Sequence, residues 1–142
     1  MVEKRRTNYQ YLQNKLKSVK GLSCHFPTLP ESIAPLVFPV IVSDEDDLHL
    51  RLRDKGIPAT TWGGVIHTQL PLGQFPDAQF LYKRLVCLPI HQDIRFNDID
   101  LMAQVMEEAI RAGRNGRHRM HPKNMASSGA SSLSPLPAAD LG

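Results

Sequence analysis

The segment from Leu85 to Ile110, LVCLPIHQDIRFNDIDLMAQVMEEAI, constrains the fold more than any other part of the chain. It reads as an apolar strand, a short loop and a helix. Ile99, Met102, Ala103, Met106, Ala109 and Ile110 recur at the 3.6-residue period of a helix with one face on a core. Gln104, Glu107 and Glu108 fall mostly on the other side. Asn97 is the expected N-cap, Asp98 and Asp100 complement the positive end of the helix dipole, and Gly113 is the expected stop. Packing accounts for Met102 and Met106 without a cofactor.

Other elements follow the same logic. Residues 3–19 predict a helix with Tyr9, Leu12, Leu16 and Val19 on one face, ended by Gly21. That face needs a neighbour to cover it. Leu22–Phe26 has strand character, and Pro27 and Pro30 mark a loop. LVFPVIV (Leu36–Val42) is the strongest strand. Pro39 within it lacks a backbone donor and is expected at an edge or bulge. Asp44 is expected to cap a helix running to Lys55, with Leu48 and Leu52 inward and Gly56 as its end. Ile57–Trp62 is extended, GGVIHTQLPLGQFP is a loop suited to close backbone approach, and a short helix passes through Phe80 and Leu81. Strands alternating with helices imply one α/β (α+β) domain, a sheet of three to four strands packed by helices on one side. The domain is expected over residues 3–111, and residues 112–142, rich in Ser, Gly, Pro and Ala, form a disordered tail.

Charge and cysteine usage narrow the function classes. Acidic and basic residues nearly balance through Ile110, whereas Arg111, Arg114, Arg117, Arg119 and Lys123 follow without an acidic partner before Asp140. The basic character therefore belongs to the tail, which lacks aromatic residues for stacking on bases, so no nucleic-acid partner is expected. Cys24 and Cys87 form no CxxC pair and read as free thiols. No apolar run approaches the ~20 residues of a membrane span, nor does an apolar signal-peptide core follow MVEKRR. A cytoplasmic protein without a membrane partner is expected. The six histidines do not converge with cysteines at zinc-ligand spacings, so no metal site is expected. A G-x-S-x-G elbow, a G-x-G-x-x-G loop and a Walker sequence are all absent. His67, behind Gly63 and Gly64 in a loop, and His91, at the end of a strand, are the candidates left.

Five segments in order carry a resemblance: RRTNYQYLQNKL, LVFPVIVSDEDDLHLRLRDKGIPATTW, IHTQ, the L-P-I-H strand and the D-I-D helix. Over residues 3–111 they resemble the C-terminal, small domain of the DegT/DnrJ/StrS sugar aminotransferases, pyridoxal-phosphate enzymes of fold type I. The resemblance implies amino transfer from glutamate or glutamine to a keto-sugar nucleotide in the intact enzyme. It implies substrate contact for His67, with Trp62 at the aromatic position before that loop, and a structural role for His91. It places the Schiff-base lysine and the cofactor-phosphate ligands in a large domain that these segments do not match. None of the seven lysines has the family's context, so this chain alone is expected to bind no pyridoxal phosphate and to be no transaminase. Its implied partner is the missing large domain or a second copy. The alternative is a non-catalytic interaction or assembly module that keeps the small-domain fold.

Overall fold

The computed structural model describes residues 1–43, 47–61 and 67–119. Helix α1 (Val2–Leu16) opens the chain and β1 (Leu22–Cys24) follows it. Gly21 makes the turn between them at φ +84°, a left-handed conformation that favours glycine, and its carbonyl accepts the Ser43 N–H. Strand β2 (Val37–Val42), helix α2 (Leu48–Asp54), a 3-10 turn at Leu72–Gln74, helix α3 (Pro76–Arg84), strand β3 (Leu85–Pro89) and helix α4 (Phe96–Arg119) complete the order.

The strands form an antiparallel sheet in the order β1-β2-β3, with Cys24 opposite Val40 and Val40 opposite Val86. Thr60 adds an isolated bridge on the far side of β3, exchanging both backbone hydrogen bonds with Cys87 at 3.1 and 2.7 Å. The architecture is α+β, as the sequence predicts. Period-two alternation sends Phe38, Val40, Val42, Val86, Leu88 and Ile90 to one face, where they pack with α1, α2 and α4. Leu12, Leu48, Leu52, Ile99 and Met106 are fully buried there, and each such side chain contributes about 1.5–3 kcal/mol. Tyr9 meets Phe38 edge to face at 4.6 Å. The Tyr9/Leu12/Leu16/Val19 face is therefore covered by the chain's own core.

Several boundaries differ from the sequence reading. Pro39 sits in the middle strand. Its carbonyl accepts the His25 N–H just past the end of β1, so its missing donor faces the place where that ladder stops. Asn97 does not cap α4. Asp98 reaches back to accept the Arg95 N–H at 3.0 Å, while the Arg95 carbonyl accepts the Asp98 and Ile99 N–H groups. Gly113 does not end α4, which continues to Arg119 and places helix where the disordered tail was expected to begin. Helix α2 starts only at Leu48, after Asp47 at φ +53°. Asp44, Trp62 and the remainder of the expected tail lie outside the described residues.

Candidate functional site

Helix α1 organises two loops, one of which carries His91. On one side Asn8, buried to 1% exposure, points Nδ2 at three carbonyls of the β3–α4 loop: His91 at 2.9 Å, Ile94 at 3.4 Å and Ile90 at 3.5 Å. Arg5 adds a bond from Nε to Gln92 Oε1 at 3.1 Å. The backbone of His91 is thus tied to α1, while its ring is exposed and its Nδ1 stands 3.9 Å from the Asp93 carboxylate. Further along the chain Tyr11 and Lys15 hold Asp100 at 3.1 and 2.8 Å. The hydrogen bond from Lys15 keeps that carboxyl below the usual aspartate range.

On the other side α1 grips the loop that joins β1 to β2. Arg6 donates to the carbonyls of Pro30, Ile33 and Leu29 at 2.7, 2.6 and 3.3 Å. The Tyr9 hydroxyl donates to Phe26 and Gln13 Nε2 to Pro27, both at 2.7 Å. Burial, reinforced by the neighbouring Cys24 sulfur, pushes the Tyr9 hydroxyl well above its ordinary value, so it stays a donor. Sequence reasoning read Tyr9 only as part of the core face and passed over Arg6 and Gln13. Their one signal is the spacing of Arg6, Tyr9 and Gln13, which puts polar groups on one helical stripe beside the apolar one.

Behind this loop lies an open apolar groove of about 450 Å³, lined by Phe26, Ile33 and Leu36 from the loop, Pro39 and Cys87 from the sheet, and Leu81 from α3. Burial raises the Cys87 thiol above its usual value, which keeps it a protonated apolar group. A more polar depression of about 480 Å³, between α1 and β1, is lined by Gln13, Lys17, Cys24 and Phe38.

His67 lies apart from both. It is exposed on a turn, where its Nδ1 accepts the Gln69 N–H at 3.3 Å and its carbonyl accepts the Leu70 N–H at 3.0 Å. The structure does not bring His67 and His91 into one hydrogen-bonded group, and Trp62 is outside the described residues. Among the described residues, no three His, Cys, Asp or Glu side chains gather closely enough to hold a metal ion. No helix among them is long and apolar enough to cross a membrane.

The model of the DegT/DnrJ/EryC1/StrS aminotransferase family matches residues 1–107. The chain belongs to that family. Among solved structures, it is similar to the aminotransferase TlmJ from Streptoalloteichus hindustanus, with 25% identity and a TM-score of 0.66 over 78% of this chain and 32% of TlmJ. It is also similar in fold to PseC of Helicobacter pylori, an aminotransferase involved in the biosynthesis of pseudoaminic acid, at 15% identity, TM-score 0.63, 78% of this chain and 33% of PseC. The fold of Spr1654 from Streptococcus pneumoniae, apo-form, aligns at 11% identity and TM-score 0.71 over 83% of this chain and 33% of Spr1654. No curated protein matches in sequence. The chain spans about one third of the length of each of these structures.

Pyridoxal phosphate belongs to the intact enzymes of the DegT/DnrJ/EryC1/StrS family, and Spr1654 is known in a PLP form. The described part of this chain does not fit the cofactor. An aldimine needs a lysine of lowered pKa inside a pocket. Lys4, Lys15, Lys17, Lys20, Lys55 and Lys83 are all exposed. Lys15 moves the other way, raised by its hydrogen bond to Asp100. The described residues offer no enclosed lysine to carry the chemistry.

Proposed function

We propose that this chain is the small-domain part of a sugar-nucleotide aminotransferase and acts only together with a cofactor-bearing part of the fold. The reaction would move an amino group from glutamate or glutamine to a keto-sugar nucleotide. One observation supports this reading above the others: the family match covers residues 1–107, yet the chain spans only about a third of the matched structures and leaves its described lysines in solvent. His67, on an exposed turn, is the residue assigned to substrate contact, with Trp62 ahead of it in the sequence. His91 serves through its backbone, which Asn8 holds.

The test has two arms. The purified chain, incubated with pyridoxal phosphate and an amino donor, gives no turnover and no stoichiometric adduct after borohydride reduction. One lysine trapped at full occupancy overturns the assignment. In an assembly that does turn over, His67→Ala lowers the rate of keto-sugar amination more than His91→Ala. A second reading, a non-catalytic assembly module, draws support from the same solvent-exposed lysines. It is favoured if His67→Ala leaves the rate of such an assembly unchanged.

A further inference from the structure

We infer that the seam between the end of α1 and the later turns of α4 is an anion site whose ligand is a phosphate group. The site goes beyond the proposed reaction and does not depend on it.

The sequence scatters its parts. Ser18 and Lys20 follow α1, whereas Arg111 and Arg114 stand near the other end of the domain. Gly113, the expected end of α4, would have left Arg114 outside any element. Instead the helix runs on to Arg119. Its Glu107, Arg111 and Arg114 come beside the turn after α1, and with Ser18 and Lys20 they line an open depression of about 290 Å³.

A backbone feature holds the two parts together. Gly21 turns at φ +84°, and a side chain there would begin 3.1 Å from Arg114 Nη2 and 3.5 Å from its Cζ. That is closer than ordinary van der Waals packing, so the guanidinium rests against the turn only because residue 21 is bare. Glycine at this position serves both the chain reversal and the approach of a cation.

Charge supplies the second argument. Three cations line the depression against one carboxylate, Glu107, and Arg111 already holds that carboxylate at 2.6 Å. Among the described residues, no carboxylate pairs with Lys20. The helix dipole accounts for basic residues in the last turn, but Arg111 lies more than two turns before Arg119. Lys20 belongs to another segment altogether. Helix stability therefore does not explain the cluster, and mutual repulsion of its cations opposes it. A bound dianion reverses that sign.

The lining also selects the anion. Guanidinium groups present forked donors, the Lys20 ammonium is a compact charge, and the Ser18 hydroxyl completes the set. These are the donors that a tetrahedral phosphate group uses. No described aromatic side chain lines the depression to stack on a base or sugar ring, so recognition stops at the phosphate group. The ligand is free phosphate or the phosphate of a small ester.

The test titrates the full-length chain with sodium phosphate and, separately, with glycerol 3-phosphate, at constant ionic strength. Amide NMR shifts at residues 18–21 and 107–114 should saturate at roughly millimolar ligand, the strength of a few exposed charge-assisted hydrogen bonds. The tighter ligand of the two identifies the source. Lys20→Ala and Arg114→Gln should each weaken binding about threefold, and Lys55→Ala, at the end of α2, should leave it unchanged. Lys20 is exposed, so its variant keeps the fold even where Arg114→Gln loosens the turn. Two results overturn the inference: shifts that sodium chloride reproduces at the same ionic strength, or binding indifferent to Lys20→Ala and Arg114→Gln alike.

Discussion

The two faces of β2 and β3 are built from the same kinds of residue and meet different fates. On one face Phe38, Val40, Leu88 and Ile90 are sealed under α1, α2 and α4, with Leu12, Leu48, Ile99 and Met106 filling the space between. On the other, Pro39 and Cys87, themselves buried, form the floor of a groove whose outer walls stay open, and α3 beside it leaves Phe80 half in water. Apolar composition therefore does not tell by itself which side of a sheet a chain will close. What decides it is whether the same chain also brings helices whose apolar stripes match.

Core truncation sharpens the contrast most. Leu52→Ala or Leu88→Ala should cost about 2–5 kcal/mol in denaturant unfolding, because each empties a site with no exposure. Leu36→Ala and Phe80→Ala should stay within about 0.5 kcal/mol in the chain alone, since both side chains are already largely hydrated. Equal losses on the two faces would show that the second one is sealed without a partner.

Asn8→Ala comes next, at about 1–3 kcal/mol, because three carbonyls of the β3–α4 loop lose their common donor. Amide exchange in residues 91–95 should quicken in that variant before the sheet opens. A smaller effect concerns His49, buried in α2 with its Nδ1 lacking a hydrogen-bond partner among the described residues. Burial lowers its pKa below the ordinary 6.5. The unfolded chain then binds the proton more readily, so this contribution is complete above 6.5 and is lost as pH falls toward the folded value. His49→Leu should flatten that slope in melting temperature against pH, and an unchanged slope would assign it to another group.

The smallest effect is at the α1/α4 seam. Lys15 holds the Asp100 carboxyl below its ordinary 3.8, so the pair's contribution is present above that value and fades as pH drops through the depressed one. Both partners are solvent-exposed, and salt should screen the contribution at neutral pH. Asp100→Asn should remove that part of the acid sensitivity, and a salt-independent loss would mean that the pair is shielded from water.

The sequence makes the closed face easy to read, because β2, β3, α1 and α4 announce themselves by period. Its errors cluster where one local signal competes with another. Asn97 is a good capping residue, but Asp98 one position later can satisfy the Arg95 N–H and the Arg95 guanidinium together, which moves the helix start upstream. Gly113 was expected to end α4, yet an interior glycine costs only about 1 kcal/mol, and the helix runs through it. The groove was invisible because its walls come from three separated stretches, and the grip of α1 on its loop depends on carbonyls that carry no residue identity. The turn that holds His67 stood out through Gly63 and Gly64, but spacing cannot show what a loop faces.

The hold of α1 on the β1–β2 loop has a consequence for how such a protein can change over generations. Within the loop, Arg6, Tyr9 and Gln13 donate to backbone oxygens, at Phe26, Pro27, Leu29, Pro30 and Ile33, while Tyr9 and Gln13 also approach the Cys24 sulfur in β1. A main-chain carbonyl is offered whatever side chain the residue bears. The course of the loop is thus written in the helix, while the lettering it displays is written in the loop itself. Drift at positions 26–36 can remodel the rim for a different neighbour without loosening the frame. Drift at Arg6 would release residues 29–33 at once, while Tyr9 and Gln13 keep their hold at Phe26 and Pro27.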